Sequence, residues 1–184
     1  MSEISERYAR VADQFTARVE AVPPDAWDRP APCEGWVARD VVDHLVEWLS
    51  AHFFSTWGVP VTASLGSHDD PREAWLWLDA GIRAGLDDPS IAHVRFENGP
   101  LGLQSYEVAI DTICTPDVLV HTWDLARAVG LDETLDADEV HRYLENVAGY
   151  EDEMVKSGHY GPRIEIPEGA DEQTRLLAIL GRRA

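Results

Sequence analysis

With 15 basic and 34 acidic side chains in 184 residues, the chain has a formal net charge of −19, which repels phosphate backbones and argues against a nucleic-acid partner. A hydrophobic content of 45% suits a globular chain long enough to bury a core, read as one domain over 1–184. The two cysteines, Cys33 and Cys114, make no disulfide framework, the first 21 residues hold no apolar signal core, and no apolar run reaches membrane-span length, so a cytoplasmic protein with no membrane partner is expected.

Ile4, Tyr8, Val11, Phe15, Val19 and Val22 recur every three or four residues, which predicts a helix over 3–21 closed by Pro23-Pro24. The Pro-rich stretch 23–35 reads as an ordered loop that Trp27 and Cys33 can anchor. A second helix is predicted over 36–57, with Val41, Val42, Leu45, Trp48, Leu49 and Phe53 on its apolar face and Gly58 at its end. Asp70-Pro71-Arg72-Glu73 is a helix-start signal for a third helix running to Leu86. The alternation in 91–97, followed by Asn98-Gly99, predicts a short strand or hairpin. A fourth helix is predicted over 105–129, broken or kinked at Pro116, with Thr115-Pro116 equally readable as the cap and first position of a new helix, and stopped by Gly130. Asp136 opens another helix to Lys156, and a last one runs from Glu172 to Leu180. The acidic runs at 132–139 and 151–153 read as solvated faces. Four long helices with short connections define a mainly α fold, an up-and-down four-helix bundle with extra short helices and room for a small hairpin.

The stretch TPDVLVHTWDLARAVG, residues 115–130, is apolar nearly all round, as a central helix is. Yet Asp117, His121 and Asp124 fall within about 60° of one another on its wheel. A buried carboxylate needs compensation, because an unpaired one costs several kcal/mol or becomes neutral. Asp117 and His121 lie one turn apart on one face, so both can reach one cation. The competing reading is that they hydrogen-bond each other or cap the helix after Pro116. A third ligand has to come from another helix, with His44, His52, His68, His93, His141 and His159 as candidates. His52 lies inside the apolar sector of the second helix and His44 at its edge, and periodicity does not decide between them.

Three stretches, PCEGWVARDVVDHL (32–45), DVLVHTWDLARAVG (117–130) and DEQTRLLAILGRR (171–183), together resemble the metal-binding domain of the mycothiol-dependent maleylpyruvate isomerases. That domain belongs to the DinB-like four-helix superfamily, and the chain is most similar to its small single-domain members. The resemblance implies that His44, in the R-D-x-x-x-H-L motif, is a metal ligand together with Asp117 and His121. The isomerase has Glu at the acid position, and the shorter Asp brings the metal closer to this helix.

Two histidines and one carboxylate leave coordination positions open, which suits catalytic zinc and is compatible with nickel or iron. The resemblance implies mycothiol or a similar small thiol as a partner, held as a thiolate toward an electrophilic substrate. The isomerase carries a further C-terminal domain that contributes to its site, and this chain ends at 184. A thiol transferase is therefore expected beside an isomerase, and a non-catalytic metal- or ligand-binding stress protein is the alternative. A homodimer is left open, with no interface specified. Around the site, Asp124 is read either as a partner of His121 or as an ion pair with Arg39 or Arg127. Cys33 is read as a packing group ahead of one that lines the cleft or reacts, Cys114 as a packing group ahead of a soft ligand, Trp36, Trp48 and Trp123 as candidate walls, and Arg39 and Asp40 as organisers of the second helix's start.

Overall fold

The periodic face of the first helix buries as expected. In the computed structural model, which describes residues 2–59, 70–97, 102–150, 156 and 161–184, α1 spans Glu3–Ala21 and buries Tyr8, Val11, Phe15 and Val19. The Ser2 hydroxyl caps it by accepting from the Ser5 N–H, and Val22, extended ahead of Pro23, ends it. The described residues divide into two units, 1–133 and 134–184.

In the first unit, α2 begins at Ala38 rather than at Trp36 and runs to Leu49. The delay has a local cause. The Ala31 N–H donates to the Trp36 carbonyl at 2.9 Å, and Pro30 and Val37 form an isolated β-bridge. Residues 30–37 are thereby tied into an arch. The Asp40 carboxylate then accepts the Val37 N–H at 2.8 Å, the organising role expected of it. After Leu49 the helix widens into a π-turn, Ser50–Phe54, and closes with one α-turn, Ser55–Trp57. Ser50 Oγ bonds back to the Val46 carbonyl, the kind of competition that loosens a helix.

The third helix, α3, spans Pro71–Asp87 and starts on the Asp70 cap as read. Residues 91–97 are only partly strand. Asp88 caps a short helix, α4, Pro89–Ala92, and the strand β1 is limited to Arg95–Glu97. It pairs antiparallel with β2, Leu103–Ser105, with Phe96 opposite Gln104. The Asn98-Gly99 turn lies outside the described residues. Next come α5, Tyr106–Ala109, a π-turn Ile110–Cys114, and α6, Thr115–Val129. The wide turn stands just ahead of Pro116, and the α-helical segment restarts at Thr115 with Pro116 in its first turn. Proline has no N–H to donate, and the Thr115 hydroxyl donates to the Ile110 carbonyl at 3.0 Å, so the helix expands locally and carries on.

Both α1 and α2 pack against α3 and α6, which places α1 and α2 on opposite corners of a four-helix bundle. The connection 22–37 therefore spans a diagonal. This carries Cys33 and Trp36 toward the α2–α6 side. Between the helices lie Phe15, Leu45, Leu49, Trp75, Leu78, Ile82, Leu119 and Trp123, all essentially inaccessible.

The approach of α3 to α5 depends on a glycine. A Cβ at Gly85 would sit 2.8 Å from the Tyr106 ring and hydroxyl. Tyr106 is fully buried, and its hydroxyl donates to the Ile82 carbonyl at 3.3 Å, so the ring has nowhere to retreat. Gly85→Ala is expected to destabilise the chain, because overpacking costs about 1–3 kcal/mol against a helix-propensity gain of about 1 kcal/mol. Urea unfolding measures the difference, and a stabilised variant would mean that the ring yields.

In the second unit, α7 spans Ala137–Val147 behind the Asp136 cap. It stops short of Lys156 because Gly149 turns at φ 87°, and residues 151–155 and 157–160 lie outside the described residues. The last helix, α8, spans Glu172–Ile179, is capped by Asp171, and packs on α7. Ile164 donates its N–H to the Ala178 carbonyl at 2.9 Å.

His141 on α7 meets Glu172 on α8 at 2.9 Å. The hydrogen bond and charge of Glu172, with Glu145 nearby, raise its pKa above the usual histidine value. The sign follows: the clasp is fully present below the unfolded histidine pKa and is lost as pH rises through the folded one. NMR titration of His141 is expected to give a raised midpoint that Glu172→Gln lowers. A midpoint unmoved by that substitution would remove the clasp from the account.

Candidate metal centre

Two i, i+4 pairs on neighbouring helices build the site. On α2, His44 and Trp48 share a face one turn apart, and on α6 Asp117 and His121 do the same. Asp117 stands between the two imidazoles: its Oδ2 is 3.8 Å from His44 Nε2, and its Oδ1 is 3.5 Å from His121 Nε2. One ligand atom from each of the three lies within 4.8 Å of the other two. Ligands about 2.0–2.2 Å from a tetrahedral ion stand roughly 3.4 Å apart, so these residues fit a divalent cation with a slight closing of the His44 side.

The site is dry at one end and open at the other. The His121 side chain is 6% exposed, Asp117 24% and His44 34%. Each candidate ligand from α6 has a second polar partner. The Trp48 indole N–H donates to Asp117 Oδ2 at 2.9 Å, leaving lone pairs of the carboxylate free. On the far side of His121, Nδ1 lies 2.9 Å from Asp124 Oδ2. An ionised carboxylate only accepts, so Nδ1 carries the proton and Nε2 presents its lone pair to the site. Asp124 is fully buried. It therefore takes the partner role toward His121, while Arg127 pairs with Glu133 at 2.8 Å.

Aromatic rings line the open end. Trp36 stacks on His121 with centroids 5.9 Å apart and an interplanar angle of 19°, and its ring is 5.0 Å from that of His44. Trp123 is buried on another side of α6 and carries Arg127 over its ring, so it belongs to the core rather than to the site. Cys33 is not the simple packing group expected: its Sγ lies 3.5 Å from Asp124 Oδ2. Cys114 does pack, fully buried, with its thiol pKa pushed well up by burial first and then by the charges of Asp117 and Asp79.

The other described histidines go elsewhere. His52 lies among the rings of Trp48, Phe53 and Trp57, His93 pairs with Glu107 at 3.1 Å, and His141 meets Glu172. His68 and His159 lie outside the described residues. Two features escaped the sequence reading, the Trp48 anchor and the Cys33 contact. The first had a signal, since Trp48 follows His44 by one helical turn. The second had none, because it depends on how the arch folds over α6.

A mainly α bundle with a His-Asp-His cluster between two of its helices is the class of protein that this geometry defines. The chain belongs to the family of the mycothiol maleylpyruvate isomerase N-terminal domain, whose model matches residues 8–126, all within the first unit. Among its relatives are uncharacterized proteins of two Mycobacterium tuberculosis strains, CDC 1551 and H37Rv. Each is 28% identical over 140 residues, covering 71% of this chain and 70% of the relative. No solved structure matches. Among the described residues, no helix is long and apolar enough to cross a membrane.

Proposed function

We propose that His44, Asp117 and His121 hold a divalent metal, zinc ahead of nickel or iron, and that the loaded site binds a small thiol of the mycothiol kind for transfer to, or isomerisation of, an electrophilic small molecule in the cytoplasm. The observation that carries this reading is the convergence of three ligand atoms within 4.8 Å at a half-open site. When bound, the metal supplies a Lewis-acid position at which a thiol is held as thiolate near neutral pH.

The chain's own residues explain why an anion is wanted there. Two neutral imidazoles and one carboxylate carry a single negative charge. While the far nitrogen of His121 keeps its proton, a divalent cation leaves a surplus positive charge, and in a partly buried site an anionic thiolate neutralises it. Asp124 sets the His121 tautomer, Trp48 orients Asp117, and Trp36 shields one flank from water. This leaves approach from the His44 side, where the exposure is greatest.

The test is thiol binding to zinc-loaded protein by calorimetry, with mycothiol as the probe and glutathione and cysteine beside it. Wild type is expected to bind mycothiol, and His44→Ala to lose that binding. Metal uptake with no affinity for any of the three thiols would leave a metal-binding protein without thiol chemistry.

A further inference from the structure

We propose that Cys33, Asp124 and the far nitrogen of His121 form a second cation site, for a soft divalent ion such as zinc, cobalt or cadmium, joined to the first through the His121 ring. Cys33 Sγ, an Asp124 oxygen and a His121 nitrogen lie within 4.8 Å of one another. Only His121 is common to this group and the His44–Asp117–His121 group. His121 Nε2 faces Asp117, while Nδ1 faces Asp124, so one imidazole offers a lone pair in each direction once Nδ1 is deprotonated.

The spacing is close to what the ion requires. With a metal–sulfur distance of about 2.3 Å and a metal–oxygen distance of about 2.0–2.2 Å, sulfur and oxygen on a tetrahedral ion stand roughly 3.5 Å apart. Cys33 Sγ and Asp124 Oδ2 are already 3.5 Å apart. The His121–Asp124 contact, at 2.9 Å, has to open by about 0.5 Å to reach ligand spacing. Cys33 itself is held in place: the Trp36 N–H donates to its carbonyl at 3.0 Å, closing the turn of the arch. Asp124 is fully buried and Cys33 half-buried, so the ion enters past the thiol.

Charge and protons balance. Binding displaces the thiol proton of Cys33 and the Nδ1 proton of His121, and both pass to solvent. With both sites loaded, the Cys33 thiolate, the Asp124 and Asp117 carboxylates and the His121 imidazolate supply four negative charges against the four positive charges of two divalent ions, which sites this buried require. Sulfur in the ligand set favours a soft ion over magnesium or calcium.

Cobalt titration of metal-free protein tests the proposal, with equivalents counted by equilibrium dialysis and the thiolate-to-cobalt charge-transfer absorption followed in the near ultraviolet. Wild type is expected to take up two equivalents and show the band. Cys33→Ser is expected to take up one and lose the band, and His44→Ala to take up one and keep it. If only the His44 site fails to bind, wild type and His44→Ala both take up one equivalent with the band, and Cys33→Ser takes up none. A saturated wild type without the band overturns the second site, as does a Cys33→Ser protein that binds as many ions as wild type. Alkylation of unmutated protein gives a check independent of folding. Cobalt should slow iodoacetamide labelling of Cys33 at least tenfold, with buried Cys114 as the unreactive internal reference, and an unchanged rate counts against the site.

Discussion

His121→Ala is expected to lose the divalent metal held at both groups that contain it, and His44→Ala the equivalent held at Asp117. Substituting a residue behind a ligand already costs about 10–100-fold in affinity, and removing one of the proposed ligands should cost more. The two histidines differ in reach. His44 belongs to one ligand group and His121 to both, so the His121 variant should be the emptier. Elemental analysis of protein purified without an affinity tag, before and after added zinc, measures both. Folding should survive His44→Ala readily, since that side chain is 34% exposed. At His121, which is 6% exposed, the variant leaves a cavity, so circular dichroism has to accompany the count. A wild type that is empty as purified and refuses both zinc and nickel would sink the metal reading. Asp117, His121 and Asp124 would then be an internally paired polar face, and Asp117→Asn would leave stability unchanged or raised.

The parts of the structure written in local periodicity were legible in the sequence. Tyr8, Val11, Phe15 and Val19 announce α1, Asp70-Pro71 announces α3, and the apolar circumference of 117–129 announces a central helix. Local reading missed two widened turns. Ser50–Phe54 and Ile110–Cys114 keep a helical pattern of side chains while changing the hydrogen-bond step, so the apolar period hardly registers them. The alternation in 91–97 does end in a paired strand, Arg95–Glu97, but a shorter one than it suggests. The Asp88-Pro89 cap claims Ile91 and Ala92 for a short helix, and the remaining strand is exposed.

The site divides along the same line. Asp117 and His121 are one turn apart in sequence, so their shared face followed from helix geometry. Whether His44 or His52 would join them did not, because a wheel gives the direction of a side chain but not which neighbour it meets. The bundle answers this through topology. With α1 and α2 on opposite corners, α2 meets α6 along the face that carries His44 and Trp48, and His52, two turns beyond His44, is left among Trp48, Phe53 and Trp57. Contacts made by the arch, such as Cys33 with Asp124, are long-range, and no local pattern encodes them.

Asp124→Ala should weaken zinc binding at the His44–Asp117–His121 group by about 10–100-fold, or roughly 1.4–2.8 kcal/mol, although Asp124 is not among the three. The argument runs through one hydrogen bond. With Asp124 present, the proton sits on Nδ1, 2.9 Å from the carboxylate, and Nε2 is ready as a ligand. Without it, the buried ring loses that acceptor, and the tautomer with the proton on Nε2, which cannot bind, gains population. The carboxylate also places a negative charge behind the ring, which favours a cation at Nε2. The measurement is chelator competition for zinc, made in a Cys33→Ser background so that only one site is counted. Asp124→Asn separates the two contributions: its carbonyl oxygen can still accept from Nδ1, so it should restore part of the affinity by fixing the tautomer without supplying the charge. Equal affinity in all three proteins would mean that packing alone orients the ring, with the stacked Trp36 at 5.9 Å as the group holding it.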